Sequence, residues 1–171
     1  MTELMKIRIL DIIEETMADG PGLRTSVYCA GCAHHCPGCH NPQSWDFAGG
    51  REVDVDEILE IIKADEFSNV TFSGGDPLYQ VEAFTELARL IKEETGKNIW
   101  CYTGFTYEEI IKDERLSQIL PYIDTLVDGP YIEELRDTDL HFRGSSNQRI
   151  IHLKEEEDDA VPGTIQVIPF R

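Results

Sequence analysis

Residues 24–39 read Arg24-Thr-Ser-Val-Tyr-Cys-Ala-Gly-Cys-Ala-His-His-Cys-Pro-Gly-Cys39 and contain four of the five cysteines of the chain. Its first six residues include β-branched and aromatic types, which predicts a strand over Arg24–Cys29. The strand leads directly into a loop that contains three cysteines. Because α/β proteins place their active sites at the C-terminal ends of strands, this loop is the first candidate for a functional site.

The spacing of Cys32, Cys36 and Cys39 predicts a metal site. Three and then two residues separate these cysteines, so a short loop can turn all three thiolates towards one point. Iron–sulfur clusters are bound by cysteine thiolates, usually four of them. Three ligands from one loop would leave one iron of a 4Fe–4S cluster without a protein ligand, and a catalytic metal keeps such a position open for its substrate.

Zinc is the main alternative for this loop. A fourth zinc ligand is available from any of four neighbouring residues, Cys29, His34, His35 and His40. Structural zinc sites more often combine two separated pairs of ligands, and no second pair follows downstream, where Cys101 stands alone. The two histidines inside the loop are expected to be solvated or to lie around the metal rather than to bind it.

Length and composition predict one globular domain over residues 1–171. Hydrophobic residues make up 41% of the chain, which is enough for a sizeable core and disfavours disorder. We expect the core to span about residues 19–153, followed by an acidic run and a C-terminal tail over 154–171.

The charge of the chain disfavours nucleic acid as a partner. Its 33 acidic and 15 basic residues give a formal net charge of −18, whereas binding to a phosphate backbone needs clustered Lys and Arg. No apolar run approaches the roughly 20 residues of a membrane span, and no targeting signal is recognised. We expect a cytoplasmic protein without membrane contact, whose five clustered cysteines serve metal or redox chemistry.

Strand and helix patterns alternate along the chain. Besides the strand over Arg24–Cys29, strands are predicted at residues 6–13, 69–73, 98–102, 123–128 and 149–153, with an edge strand at 164–170. The alternation favours parallel βαβ units, and about four of them fit into this length. A closed eight-stranded barrel takes roughly 250 residues, so the predicted fold class is α/β, an open partial (β/α) barrel.

Capping residues predict three helix starts. Asp54 with Glu57, and Thr106 with Glu109, have the spacing of a capping box. Asp76 precedes a proline, which suits the first turn of a helix.

The sequence Ser73-Gly-Gly-Asp-Pro77 forms the second candidate motif. Two glycines after a strand are most often a tight turn. In the functional interpretation, Gly74 and Gly75 lack a Cβ, so a ligand can approach the backbone, and its ammonium group can donate to the carbonyls and to Asp76. Both motifs end strands in the same direction, so we expect one ligand to bridge the open iron and this glycine edge.

A Cys-x3-Cys-x2-Cys loop after one strand and a Gly-Gly-acidic motif after the next resemble the radical S-adenosylmethionine superfamily. That family usually has Glu where this chain has Asp76, and many members have an aromatic residue at the position of Gly38. Residues Asp19–Arg24 and Cys36–Asp46 resemble the glycyl-radical-enzyme activases. Within that branch, three further segments resemble the activating proteins of the anaerobic ribonucleoside-triphosphate reductase, namely residues 100–107, 127–131 and 143–149.

The resemblance implies a fold, a ligand set and a cofactor. The fold would be an open partial barrel of the radical S-adenosylmethionine type. One 4Fe–4S cluster would be held by Cys32, Cys36 and Cys39, and S-adenosylmethionine would chelate its fourth iron. The residues implied in binding that cofactor are Gly74, Gly75 and Asp76 at the ammonium group, and Gly38, Cys39 and His40 near the adenosyl portion.

The implied activity is that of an activase. Reductive cleavage of S-adenosylmethionine would give a 5′-deoxyadenosyl radical, which would take a hydrogen atom from a glycine of the anaerobic ribonucleoside-triphosphate reductase. The electron would come from a donor such as a flavodoxin or a ferredoxin. The alternatives are an activase of another glycyl radical enzyme such as pyruvate formate-lyase, a small-molecule enzyme such as a carboxy-deazaguanine synthase, and a zinc-binding interaction module.

Other polar and sulfur-containing residues have plainer interpretations. Cys29 and Cys101 are expected to be packed strand cysteines. Four later residues could contact the adenosyl group or the partner, or could simply cap a turn and pair with carboxylates, namely Asp128, Arg143, Asn147 and Arg149.

Overall fold

A computed structural model describes residues 5–154 and 164–166, and these residues form an eight-stranded sheet with helices. The strands are Lys6–Thr16 (β1), Arg24–Cys29 (β2), Arg51–Asp54 (β3), Asn69–Gly74 (β4), Ile99–Tyr102 (β5), Thr125–Asp128 (β6), Arg149–His152 (β7) and Thr164–Gln166 (β8). The α-helices are Val55–Ala64 (α1), Val81–Glu94 (α2), Tyr107–Ile111 (α3) and Glu114–Ser117 (α4). Short 3-10 helices occur at Pro42–Trp45, Pro77–Gln80, Leu120–Tyr122 and Glu133–Leu135.

The sheet is open, with the order β3-β1-β2-β4-β5-β6-β7-β8. Its centre consists of the parallel strands β2, β4, β5 and β6, which are linked through α1, α2 and the α3–α4 pair. This confirms the predicted α/β fold class, an open partial barrel.

Both flanks of the sheet contain antiparallel pairs, which the sequence argument did not predict. Strand β1 is antiparallel to β2 and to β3, and β7 is antiparallel to β6. The link between β1 and β2 covers only residues 17–23. A parallel crossover needs a dozen or more residues, so this link permits only the antiparallel arrangement.

The two faces of the central strands carry different side chains. One face packs against the helices in a large apolar core, in which the rings of Phe72 and Phe84 lie 4.8 Å apart. The opposite face has a smaller cluster around Trp100, Val127 and Ile150. Successive residues of a strand point to opposite faces, so the helix-covered face is largely apolar, whereas the opposite face also carries buried polar residues.

A buried arginine joins three central strands at their N-terminal ends. Arg24 Nε donates to Thr71 Oγ1 at 2.8 Å, and Nη2 donates to Asn98 Oδ1 at 2.6 Å. The guanidinium also lies 5.5 Å from the centre of the Trp100 ring, on the face opposite the helices. A buried guanidinium is tolerated because its donors find acceptors, and here they tie β2 to β4 and β5.

Several element boundaries differ from the prediction. Strand β1 extends three residues further, to Thr16, and β4 one residue further. Strand β3 was not predicted, because it consists of Arg51-Glu-Val-Asp54 and only Val53 is buried. The predicted edge strand is described for Thr164–Gln166, whereas residues 167–170 and the acidic run at 155–159 lie outside the described residues.

The three predicted helix starts have different outcomes. Asp54 precedes α1 but makes no side-chain capping bond, so the predicted capping box with Glu57 is wrong. The Thr106 hydroxyl accepts from the Glu109 amide at 3.2 Å, which confirms this residue as a cap. Asp76 caps the turn that leads into α2.

None of the helices within residues 5–154 is both long and apolar enough to cross a membrane.

We predict that Leu87→Ala lowers the free energy of unfolding by about 2–5 kcal/mol, because it removes a fully buried side chain and leaves a cavity. The matched control on the same helix is Glu93→Ala, which removes an exposed ion pair with Arg89 and should cost less than about 1 kcal/mol. Urea unfolding followed by circular dichroism measures both. Equal losses for the two variants would contradict the described core.

Candidate metal and cofactor site

The parallel pairing of β2 with β4 brings the cysteine loop and the glycine motif together. Cys29 at the end of β2 lies opposite Gly74 at the end of β4. Beyond the strands, the Gly75 amide donates to the Cys29 carbonyl and the Asp76 amide donates to the Gly31 carbonyl, each at 2.8 Å. The two strands therefore end in the same direction, as the sequence predicted, and the two motifs lie side by side.

The two glycines are needed for this close approach of the backbone. A Cβ on Gly75 would lie 2.5 Å from the Gly31 carbonyl oxygen, and one on Gly74 would lie 2.4 Å from the Cys29 nitrogen. Real Cβ atoms do not come so close to backbone atoms. The glycines thus let the segment before the cysteine loop pack directly against the end of β4.

The five cysteines fall into two groups. Cys29 and Cys101 are fully buried in the core, as the sequence predicted, whereas the three loop cysteines are partly exposed. Backbone bonds shape the loop: the Gly31 amide donates to the Ser44 carbonyl at 2.7 Å, and the Cys39 amide donates to the Cys36 carbonyl at 3.0 Å.

The donor atoms of the loop suit an iron–sulfur cluster in type. Thiolates are the ligands of such clusters. The Asn41 amide donates to Cys39 Sγ at 3.4 Å, and hydrogen bonds to the sulfur ligands help to set the reduction potential of a cluster. Within the described residues, no group of three or more His, Cys, Asp or Glu is already assembled as a metal site.

Burial raises the pKa of the Cys32 thiol to about 11, and the Asp76 carboxylate adds to the rise. A thiol in this setting holds its proton until a cation compensates for the charge of the thiolate. Metal binding at Cys32 would thus be coupled to proton release.

Asp76 is almost fully buried, and its carboxylate receives four donors. Oδ1 accepts from the Leu78 amide at 3.0 Å, which is the capping bond expected from the sequence. Oδ2 accepts from Thr103 Oγ1 at 2.9 Å, from the Gly104 amide at 2.9 Å and from His34 Nε2 at 2.7 Å. Both oxygens are therefore engaged by the protein, and they connect the ends of β4 and β5 with the cysteine loop.

The segment after β6 packs on the other side of the cysteine loop. A Cβ on Gly38 would lie 2.1 Å from Glu133 Oε2 and 3.3 Å from the Tyr131 ring. The Tyr131 hydroxyl donates to the same Glu133 oxygen at 2.7 Å, which raises the pKa of Tyr131. The ring of His40 lies 5.1 Å from that of Tyr131. Gly38 has a positive φ of 79°, which strains any residue with a side chain, and an aromatic ring at this position would also displace the Glu133 side chain.

The buried Asp128 and the partly buried Arg149 form an ion pair at the end of β6. Asp128 accepts from the Tyr107 amide at 2.8 Å, and Arg149 Nε donates to its other oxygen at 3.1 Å. Arg149 also pairs with Glu108, and this bond lowers the pKa of Glu108 to about 2. The plainer interpretation of both residues, a turn cap and a partner for carboxylates, describes their contacts.

Arg143 and Asn147 order the loop between β6 and β7. Arg143 donates to the Gln148 carbonyl at 3.2 Å, and Asn147 Nδ2 donates to the Pro130 carbonyl at 2.7 Å. Three neighbours of the site were not predicted from the sequence, namely Thr103, Tyr131 and Glu133. Thr103 directly follows the predicted strand at residues 98–102, so its position at a strand end could have indicated a place near the site. No sequence pattern marks Glu133 in this way.

Known proteins resemble this chain over most of its length. The family model described as a 4Fe-4S single cluster domain matches residues 18–151, which gives the class of the protein. Curated relatives are each named anaerobic ribonucleoside-triphosphate reductase-activating protein. The relative from Haemophilus influenzae is 39% identical over 78% of this chain and 90% of its own length. The relative from Escherichia coli K12 is 34% identical over 81% and 94%, respectively.

The chain therefore belongs to the family of the anaerobic ribonucleoside-triphosphate reductase-activating proteins, a family of activating enzymes. This confirms the resemblance drawn from the motifs. A relative from Enterobacteria phage T4 is 33% identical over 77% of this chain and 85% of its own. Among solved structures, QueE from Escherichia coli has a TM-score of 0.47 and 17% identity over 59% of this chain and 53% of its own, which is too slight to support a conclusion.

We predict that Gly75→Ala lowers both the iron content per chain and the free energy of unfolding, the latter by about 1–3 kcal/mol, because the new methyl group collides with the backbone before Cys32. Gly22→Ala is the control, since a Cβ there meets nothing within 4 Å and only its positive φ of 72° is strained. Iron analysis and urea unfolding measure the outcome. Undiminished iron in Gly75→Ala would contradict the close approach described.

Proposed function

We propose that this protein cleaves S-adenosylmethionine reductively at a 4Fe–4S cluster and generates a glycyl radical on anaerobic ribonucleoside-triphosphate reductase. One observation carries the proposal: in a member of this family, the pairing of β2 with β4 sets the three-cysteine loop beside the glycine edge. When bound, the cluster and S-adenosylmethionine supply one-electron chemistry, which ends in hydrogen abstraction from a glycine Cα of the partner. The protein supplies position and exclusion of water.

Cys32, Cys36 and Cys39 are proposed to bind three irons of the cluster. Their partial exposure supports this role, because a cluster and its cofactor must reach them. Cys29 and Cys101 are unsuited as ligands because both lie wholly within the apolar core.

The methionine end of the cofactor is assigned to the edge formed by Gly74, Gly75 and Asp76. This edge adjoins the cysteine loop through two backbone hydrogen bonds, so a ligand on the open iron would lie next to it. The Asp76 carboxylate is held by four protein donors. Its contribution is to fix the shape of the edge and to place a negative charge near the ammonium group.

The adenosyl end is assigned to the other side of the loop, at Gly38, Cys39 and His40. The contact of His40 with Tyr131 supports this assignment, because it makes an aromatic surface beside the loop. A purine ring can stack on such a surface.

The partner and the electron donor follow from the same proposal. The relatives are named as activating proteins of the anaerobic reductase, so the glycine to be oxidised is proposed to lie on that enzyme. A flavodoxin or a ferredoxin is proposed to donate the electron. A cytoplasmic location would keep the cysteines reduced and free for the cluster.

We predict that the reduced protein, mixed with S-adenosylmethionine and the anaerobic reductase, produces a glycyl radical signal in electron paramagnetic resonance. Cys36→Ser should abolish both the signal and most of the iron, because it removes a proposed ligand. Cys101→Ser, a buried cysteine outside the loop, should retain both.

Two results would refute this function. Zinc without iron in the anaerobically purified protein would indicate a zinc-binding module, since zinc carries no redox chemistry. Cleavage of S-adenosylmethionine without any radical on a competent reductase would show that the target is a different molecule.

A further inference from the structure

His34 makes the side-chain hydrogen bond that joins the cysteine loop to the glycine edge. It lies between Cys32 and Cys36, and its Nε2 is 2.7 Å from Asp76 Oδ2. A carboxylate can only accept, so the Nε2 nitrogen must carry the proton and donate it. The bond links two residues that are 42 positions apart in the chain.

Packing holds the His34 ring in this position. The ring meets Phe105 edge-on at 4.6 Å and lies 5.5 Å from the ring of Tyr79. A Cβ on Gly104 would come within 2.5 Å of His34 Cδ2, so the absence of a side chain at Gly104 makes room for the imidazole. The imidazole is therefore packed between aromatic rings and the backbone, unlike a mobile surface side chain.

The acceptor of this bond is equally constrained. Asp76 Oδ2 also accepts from Thr103 Oγ1 and from the Gly104 amide, at the end of β5. His34 thus attaches the middle of the cysteine loop to a carboxylate whose position is set by two strands. A hydrogen bond to a buried charged group contributes more than a neutral one.

We propose that His34 is a positioning residue, which holds the cysteine loop at a set distance from the Gly74–Asp76 edge so that one cofactor molecule can reach both. The inference rests on the proposed function and extends it to a residue that is neither a metal ligand nor a contact of the cofactor. Cys32, Cys36 and Cys39 would still bind a cluster without His34. What would be lost is the alignment between that cluster and the edge.

The neighbouring histidine provides a matched control. His35 belongs to the same loop, but its ring stacks on Trp45 at 4.5 Å with an interplanar angle of 12°. It points to the segment after the loop and not to the glycine edge. His35→Ala therefore removes an imidazole from the loop without touching the bond to Asp76.

The experiment compares His34→Ala, His34→Gln and His35→Ala, each loaded anaerobically with iron and sulfide. Equilibrium binding of S-adenosylmethionine is measured on the loaded protein without a reductant, so that the ligand is not cleaved, and iron per chain is measured alongside. We expect His34→Ala to keep its iron but to bind S-adenosylmethionine about tenfold more weakly, the effect of losing one charge-assisted hydrogen bond. His34→Gln, whose amide nitrogen can reach the place of Nε2, should recover most of the affinity, and His35→Ala should match the wild type.

A second readout does not involve the cofactor. Amide hydrogen exchange in the protein without cofactor should become faster at residues 31–36 and at Asp76 in His34→Ala, and should stay unchanged there in His35→Ala. Unchanged exchange and unchanged affinity in His34→Ala would overturn the inference. So would loss of iron in both His34 variants, which would make His34 a determinant of cluster binding itself. Wild-type protein that loads iron but does not bind S-adenosylmethionine would instead refute the proposed function, and the exchange result would still decide the role of His34.

Discussion

The candidate site depends on the hydrogen bonds that the buried carboxylate of Asp76 accepts. An ionised group removed from water is tolerated only when hydrogen bonds compensate for its lost hydration. Four donors do so here, from Leu78 after β4, from Thr103 and Gly104 after β5, and from His34 in the cysteine loop. The charge is satisfied only when all three parts of the chain are in place, so it couples the shape of the loop to the ends of two parallel strands.

The apolar core and the candidate site lie in different parts of the sheet. The helices cover one face of the sheet and bury the core there, including Cys29 and Cys101. The ends of the parallel strands remain free of that packing and carry the cysteine loop and the glycine edge. Contact between Gly75 and the Gly31 backbone keeps these two parts adjacent, and this contact leaves no room for a side chain on Gly75. The protein therefore combines an apolar layer under the helices with a polar site at the strand ends.

The sequence predicted the central strands well because their signals are local. A run such as Asn69-Val-Thr-Phe-Ser73 is apolar and β-branched between turn residues, and such a run becomes a strand in most surroundings. Strand β3 was not predicted, because three of its four residues are charged and the strand pairs with β1 without an apolar pattern of its own. The predicted cap at Asp54 also failed, since residues 51–54 are drawn into that strand and the side chain makes no capping bond.

The sequence by itself determined the chemistry that is available: three thiols in one loop, two glycines and a carboxylate after the next strand, and the family to which their spacing belongs. Only the tertiary structure decided which of these groups meet. The bond between His34 and Asp76 and the filling of the space at Gly38 by Glu133 join residues that are far apart in the chain. Patterns of residue type report the local period of a helix or strand, whereas such contacts depend on how strands pair and loops pack, which no local pattern encodes.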